Sequence, residues 1–480
     1  MEMIVWVGIP FLILMAGLLF RFQPKIQLSP IPILGLMVVL CGAVLGHEFF
    51  NVSAGPVPIT LDRLLLLGAA GLFAFLFLTN KENLARLNAL DVSIIFLIAI
   101  LGVSTFTHDW QYLKKMPVSR LLFFSLLPVL LYCLMRTSRL RVNDLKVIAL
   151  ALSLFGVYLA LTAVAEVKGV SAVVFPKYIM NSETTEFLGR GRGPFLNPVS
   201  NGIFMIVSLC CTAMWWPRSR DGRKTLIVGV TLLMVLGCYM TLTRSVWLSL
   251  VFAGAIFVWI PASLRAKGGM VVLGTVMCIA LFPVLAEKVF SFKRDKEVTA
   301  TEMKISAQMR PMFFYVATKM FEERPVFGFG YGQYGQSKTP FLTDPNSGKP
   351  LLITKGLGQH NVFLAYLTET GLVGLSALTL MLLLMLFTSW KVWRNRSINL
   401  WARQFGLLGA VMLSCYCVNG MFHDVSIIPG NHMFLFFLLG LVNNIFSHAN
   451  AFVTEDEAIA QPGSVGLGVS SGSGVTASPA

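Results

Sequence analysis

His360 and Asn361 stand at the head of the stretch HNVFLAYLTETGLVGL, which runs from His360 to Leu375. An imidazole titrates near neutrality and in its neutral form accepts a proton. Four arginines precede it on polar segments: Arg190 and Arg192 in GRGRGPFLNP, Arg244 in TLTRS, and Arg310 in AQMRP. A guanidinium stays charged and presents a planar fork of donors that fits phosphate oxygens. These groups suit one chemistry: arginines hold a diphosphate leaving group while the histidine takes the proton of an attacking hydroxyl. The arginines then absorb the charge on the departing diphosphate, as a metal does elsewhere. Positive neighbours also push a histidine towards its neutral form. All of this requires the arginines to converge in space.

Each segment has a plainer reading beside the chemical one. The glycines around Arg190 and Arg192 let the backbone approach a ligand, and Pro194 and Asn197-Pro198 set the exit into the next helix. The same loop could rest on lipid headgroups. Arg244 sits in a very short turn between two apolar runs, where an ionisable group is costly unless paired or solvated; the alternative is snorkelling. In ISAQMRPMFFYVATKMFEERP, apolar residues at 305, 309, 312, 313, 316 and 320 keep helical spacing. Pro311 suits a first helical turn and Pro325 ends the segment, giving an amphipathic helix on the membrane or on the bundle. Arg310 either faces the site or lies on the surface. His423-Asp424 either supports the base or forms a hydrogen-bonded turn, and Asn361 and Asn197 are further supporting candidates. Gly330 to Gly335 matches G-x-G-x-x-G, but no strand precedes it, so a dinucleotide site is rejected. A loop-shaping turn or a surface for stacking sugars remains. The run SFKRDKEVTATEMK reads as solvated and FLTDPNSGKPLLITKGLGQ as a mobile, turn-rich segment. No metal-ligand spacing occurs, and neither metal nor cofactor is expected.

The elements that hold these residues are apolar. The 480 residues are 56% hydrophobic and 13% charged, with a mean hydropathy of +0.74. That charged share is about half that of a soluble protein. Continuous apolar runs imply membrane-spanning helices, because only internally bonded backbone is stable in lipid. The fold class is all-α and polytopic, with 12 to 13 transmembrane helices and a large extracytoplasmic loop. Thirteen spans are expected, at 3–20, 31–50, 61–79, 90–106, 120–135, 145–165, 198–216, 224–241, 244–260, 269–286, 359–388, 404–422 and 429–447. One alternate set of short loops carries eighteen Lys and Arg, the other five, Arg120 among the five. The basic set is assigned to the cytoplasm. Loops 166–197 and 287–358, with His360, then lie outside. The net charge of +15 is read as topological rather than as a sign of nucleic acid. Residues 1–447 form one helical membrane domain that begins with a retained span, and 448–480 form a disordered Gly/Ser-rich tail. All eight cysteines fall in apolar runs and read as packing residues.

His360-Asn361, nine residues, then Gly371-Leu372-Val373-Gly374 is similar to the H-[N/S/Q]-x9-G-x-x-[G/T/Y] motif of the O-antigen ligase superfamily. Arg244-Ser-Val-Trp-Leu248 resembles that family's R-x3-L, and G-R-G-P-F-x-N-P resembles its other arginine region. The pattern extends over about residues 60 to 445. A thirteenth span departs from the family's twelve. The resemblance implies a metal-independent glycosyltransferase of the membrane-embedded GT-C type in the bacterial inner membrane, facing the periplasm or outside. Its donor would be an undecaprenyl-diphosphate-linked glycan. The acceptor would be lipid A–core sugar, protein or other glycan for a ligase, and another lipid-linked repeat for a polymerase. His360 would be the base, and Arg192 (or Arg190) and Arg244 the diphosphate clamp; Arg190 and Arg310 are added to that clamp. Membrane lipids are the other expected partners, and nucleic acid is not one. A lipid-glycan transporter and a non-catalytic assembly protein are the competing classes. The first would place its ionisable groups near the bilayer midplane.

Overall fold

A computed structural model describes residues 28–54, 57–79, 86–181, 186–263, 265–269, 300–344, 347–348 and 350–453. Its elements are α1 (Pro30–Val44), a hairpin of β1 (Val52–Ala54) and β2 (Val57–Ile59), α2 (Leu61–Leu78), α3 (Ala89–Phe106), α4 (Tyr112–Leu121), α5 (Leu127–Thr137), α6 (Val142–Lys168), α7 (Pro198–Ala213), α8 (Asp221–Met240) and α9 (Arg244–Gly254). They continue with α10 (Ala300–Glu323), α11 (Tyr334–Ser337), α12 (Val362–Arg394), α13 (Leu400–Gly420) and α14 (Pro429–Ser447). One π-helical turn, Leu122–Leu126, joins α4 to α5, and another, Ala255–Trp259, extends α9. The protein is an all-α polytopic membrane protein apart from the small hairpin.

Among the described residues, eight helical stretches are long and apolar enough to cross a membrane, and α1 and Arg244–Trp259 are shorter apolar helices. The expected spans at 3–20 and 269–286 lie outside the described residues; the other eleven fall on helices. α7, α13 and α14 are mostly enclosed, whereas α2 and α8 turn Leu64, Leu67, Phe75, Leu226 and Leu232 outwards. Lipid accepts apolar side chains as readily as a core does, so exposure of leucine here is the expected outcome. Because α13 is enclosed by protein, it tolerates Gln404 and Asn419.

Asparagines start four of these helices. Asn88, Asn197, Asn361 and Asn399 each accept backbone N–H bonds from the first turn of α3, α7, α12 and α13. An N-cap oxygen satisfies donors that lipid or protein would leave bare. Helices alternate in direction, so α3, α6, α8 and α13 end, and α4, α7, α9, α12 and α14 begin, at one end of the bundle. That end carries His360 and the long polar segments. At the opposite end Asp91 accepts from Tyr132 (2.6 Å) and Asn443 (3.0 Å), with Arg136 at 3.4 Å. Arg136, counted as a basic loop residue, is therefore a buried tie between α3 and α5.

Several boundaries differ from expectation. α10 starts at Ala300, so Pro311 lies inside the helix rather than in its first turn. Its apolar face, Met312, Val316 and Met320, packs against Phe329, Tyr334, Leu342 and Leu351, so it closes a small core within the outer loop. The end of the charged run, Ala300 to Lys304, is helical; 291–299 lies outside the described residues. The segment expected to be mobile is instead held by buried Leu342, Leu351 and Thr354. Residues 448–453, expected in the tail, also pack. Phe452 is buried, and its carbonyl accepts from Asn399 N–H at 2.7 Å. The remaining tail, 454–480, lies outside the described residues.

Candidate active site

The head of α12 sets the histidine. Asn361 Oδ1 accepts from the N–H groups of Phe363 and Leu364, at 2.8 and 3.0 Å. Its Nδ2 donates to Met421 O at 3.0 Å, which ties the start of α12 to the end of α13. Asn361 is thus the cap and clasp of this corner. His360, one residue earlier, has φ of 50°, in the left-handed region. Few residues besides glycine adopt it, histidine being among the more tolerant, and such strain persists only where the surroundings impose it. The residue is exposed, with its ring 5.2 Å from that of Phe313 on α10.

The glycines of the motif have a separate task. Gly371 interrupts α12 with φ 64° and ψ −161°. The break frees backbone groups on both sides, and residues 325–330 dock there. Phe329 and Gly330 donate to the carbonyls of Thr368 and Glu369 at 3.0 and 2.8 Å; Leu372 and Val373 donate to those of Pro325 and Val326 at 2.8 and 3.2 Å. A Cβ on Gly371 would collide with Val326 O and come within 2.6 Å of Phe327 N. The motif spacing therefore places the helix cap and the docking break about three turns apart. The aromatic–glycine loop that follows is the loop-shaping turn: Tyr331 N–H donates to Ser104 Oγ at 3.0 Å and Gln333 Nε2 to Asp109 O at 2.6 Å.

The arginine loop is locked from within. Arg192 is 1% exposed. Its Nε donates to Glu166 Oε1 (2.9 Å), Nη1 to Glu186 O (2.9 Å) and Nη2 to Ile179 O (2.7 Å). Glu166 Oε2 also accepts from Gly193 N–H at 2.9 Å. Arg192 thus binds the end of α6 and the carbonyls of its own loop, because a polar loop folded onto apolar helices must satisfy its own carbonyls. Arg190 is buried as well, 5.2 Å over the Phe187 ring. Gly191 N–H donates to Met240 O at 2.8 Å, and Asn201 Nδ2 to Gly191 O at 2.9 Å. The loop is thereby fastened to the α8–α9 turn, where Leu242 has φ of 49° and exposed Arg244 opens α9. Asn197 is the cap of α7, accepting from Val199 and Ser200 N–H.

Charges from four segments meet at His360. Partial burial of the ring is the largest effect and lowers its proton affinity below the usual value; Asp424 opposes this, Arg310 and Lys338 reinforce it, and Glu186 opposes it. The direction matches the expectation, but loss of hydration leads and the arginines come after it. Exposed Arg310 lies 5.3 Å over the Phe422 ring, beside the α13–α14 connection. There His423 N–H donates to Asn419 O at 2.9 Å, and Asp424 Oδ1 accepts from Ser426 N–H at 3.2 Å. The charges of Arg310 and Asp424 thus act on His360, and the Arg190–Arg192 loop is joined to the Arg244 turn. Glu186 links the two groups: its carbonyl is held by Arg192 and its charge acts on His360.

Three residues escaped the sequence reading. Arg120, counted as a loop cation, is buried inside the span Met116–Thr137. Its Nη1 donates to Glu369 Oε1 at 2.8 Å, its Nη2 lies 3.5 Å from Asp424 Oδ2, and the guanidinium lies 4.7 Å over the Tyr331 ring. Glu369 is itself buried in α12. The available signal was a pair of opposite charges within apolar runs, which must face protein and partner one another. Lys338, also enclosed, gave no signal from its turn-rich surroundings.

Comparison with known proteins adds one finding. A family model described as O-Antigen ligase matches residues 229–379, just under a third of the chain. No curated protein matches the chain. The matched region carries Arg244, Arg310, Lys338, His360, Glu369 and Gly371. Family match and histidine motif fall on the same segment of a multi-pass membrane protein, and they support a member of the O-antigen ligase/polymerase superfamily.

Proposed function

We propose that this chain is a glycosyltransferase of the bacterial inner membrane that moves a glycan from undecaprenyl diphosphate to an acceptor hydroxyl. The acceptor is lipid A–core sugar, protein or another glycan, and the site faces the periplasm or outside. The observation that carries this reading is His360: an exposed residue whose partly covered imidazole has lowered proton affinity, at the head of α12 within the family-matched segment. The excess of basic residues in the opposite loops supports the orientation.

In this mechanism neutral His360 takes the acceptor hydroxyl proton as the oxygen attacks the anomeric carbon. The bond from that carbon to the diphosphate oxygen breaks, and the diphosphate leaves with the electron pair. Arg244 and Arg310, both exposed, receive the developing charge without a metal. Arg190 contributes from the loop, and Arg192 holds the loop in shape. Asp424 steadies the imidazolium until its proton passes to solvent.

The lipid-linked glycan pool of the producing host, resolved by size with and without the gene, tests this. Long polymer stranded on the polyprenyl carrier identifies a ligase. A single accumulated repeat identifies a polymerase, which shares the same motif. A repeat trapped on the cytoplasmic leaflet identifies a transporter and removes the role given to His360. Complementation with His360→Ala is expected to leave the pool as in the gene deletion, while the protein still inserts.

A further inference from the structure

Lys338 is the only fully enclosed lysine among the described residues, at 1% exposure. Burial pushes its ammonium down to about 8. Instead Nζ donates to Thr354 O at 2.7 Å and Leu357 O at 2.5 Å, and lies 5.0 Å over the Tyr334 ring. A neutral side chain of similar length would fill the space with less loss of hydration. What the charge holds is specific. Residues 351–359 form a strap that runs straight into His360. Leu351 anchors one end in the outer-loop core, Gln359 Nε2 donates to Thr368 Oγ1 of α12 at 3.2 Å at the other, and Lys338 binds the middle. Without that middle tie Thr354 O keeps only the N–H of Leu357 within the strap itself, at 3.1 Å, Leu357 O loses the ammonium, and the left-handed turn at His360 hangs from a segment no longer fixed to α11.

We propose that Lys338 is a positioning residue for His360: it fixes the strap that presents the imidazole, and its charge acts on the ring. This rests on the reading of His360 as the base. The groups that face Lys338 are the Tyr334 ring on α11 and the two strap carbonyls, and its charge acts on His360. Arg310 from α10, Asp424 from the α13–α14 connection and Glu186 from the arginine loop act on the same imidazole.

The test uses the full-length protein in detergent with Lys338→Met and Lys338→Gln. Two readouts need no glycan: amide hydrogen exchange of 351–359, and the pH midpoint for carbethoxylation of His360 by diethyl pyrocarbonate, followed on its peptide. In Lys338→Met, strap exchange is expected to rise roughly tenfold and the midpoint to rise by about half a pH unit. Lys338→Gln keeps donors without charge, so its strap exchange stays nearer wild type while its midpoint still rises. Unchanged exchange and midpoint in both variants overturn the proposal. So does unchanged turnover of polyprenyl-linked glycan in a Lys338→Met protein whose strap has loosened. Retained turnover in His360→Ala overturns the reading of the base, a result independent of the Lys338 variants.

Discussion

His360 combines an unusual backbone with an unusual charge environment, and both bear on its proton. As a base with lowered affinity it is active when neutral, so turnover is expected to hold through neutral pH and fall in acid, with a midpoint below 6.5. Asp424 favours the protonated ring, so Asp424→Asn is expected to move that midpoint lower still. A pH–rate profile of the two proteins checks the sign; a midpoint that rises in Asp424→Asn counts against Asp424 acting on His360. Arg244 is exposed at the start of α9, and in this reading its guanidinium meets diphosphate oxygens. Arg244→Lys keeps the charge and loses the fork, and initial rates are expected to drop at least about tenfold. Near-normal turnover in that variant would sink the clamp.

α12 joins capping and docking in one helix. Asn361 satisfies its first turn and reaches α13, and about three turns on Gly371 opens the backbone to residues 325–330. The outer-loop core and the base are thereby fixed to the same rod. Gly371→Ala would force a Cβ into Val326 and impose a side chain at φ 64°. A loss of about 2–3 kcal/mol is expected, concentrated at the docked segment. Hydrogen exchange of 325–330 should show it; protection equal to wild type would mean that the break tolerates a side chain.

Across the whole molecule, Arg120 is where four parts meet: α4 contributes it, α12 contributes Glu369, the α13–α14 connection contributes Asp424, and the outer loop contributes Tyr331. Breaking a buried ion pair on one side leaves an uncompensated charge, typically at about 3–5 kcal/mol. Arg120→Met is therefore expected to lower the thermal midpoint strongly, and Arg120→Met with Glu369→Met to recover much of the loss. If the double variant is as unstable as the sum of the singles, the pair is not coupled. The family match and the bundle topology converge on this end of the molecule, where the polar segments collect.

Membrane spans were legible in the amino-acid order because lipid makes each segment satisfy its own backbone, so hydropathy over about 20 residues carries the information. Eleven of the expected spans fall on described helices, eight of which are long and apolar enough to cross a membrane, while His360, Arg244 and Arg310 were singled out by residue type and motif. The division of labour among the charges was not legible. Arg190 and Arg192 read alike in GRGRG, yet the fold closes Arg192 onto Glu166 and backbone carbonyls. Arg120 read as a loop cation until packing placed Glu369 and Asp424 beside it. Lys338 carried no reading at all until the strap folded over it. A charge's role depends on which partners reach it and how much water it keeps, and those come from segments far apart in the chain. Only the tertiary structure decides them.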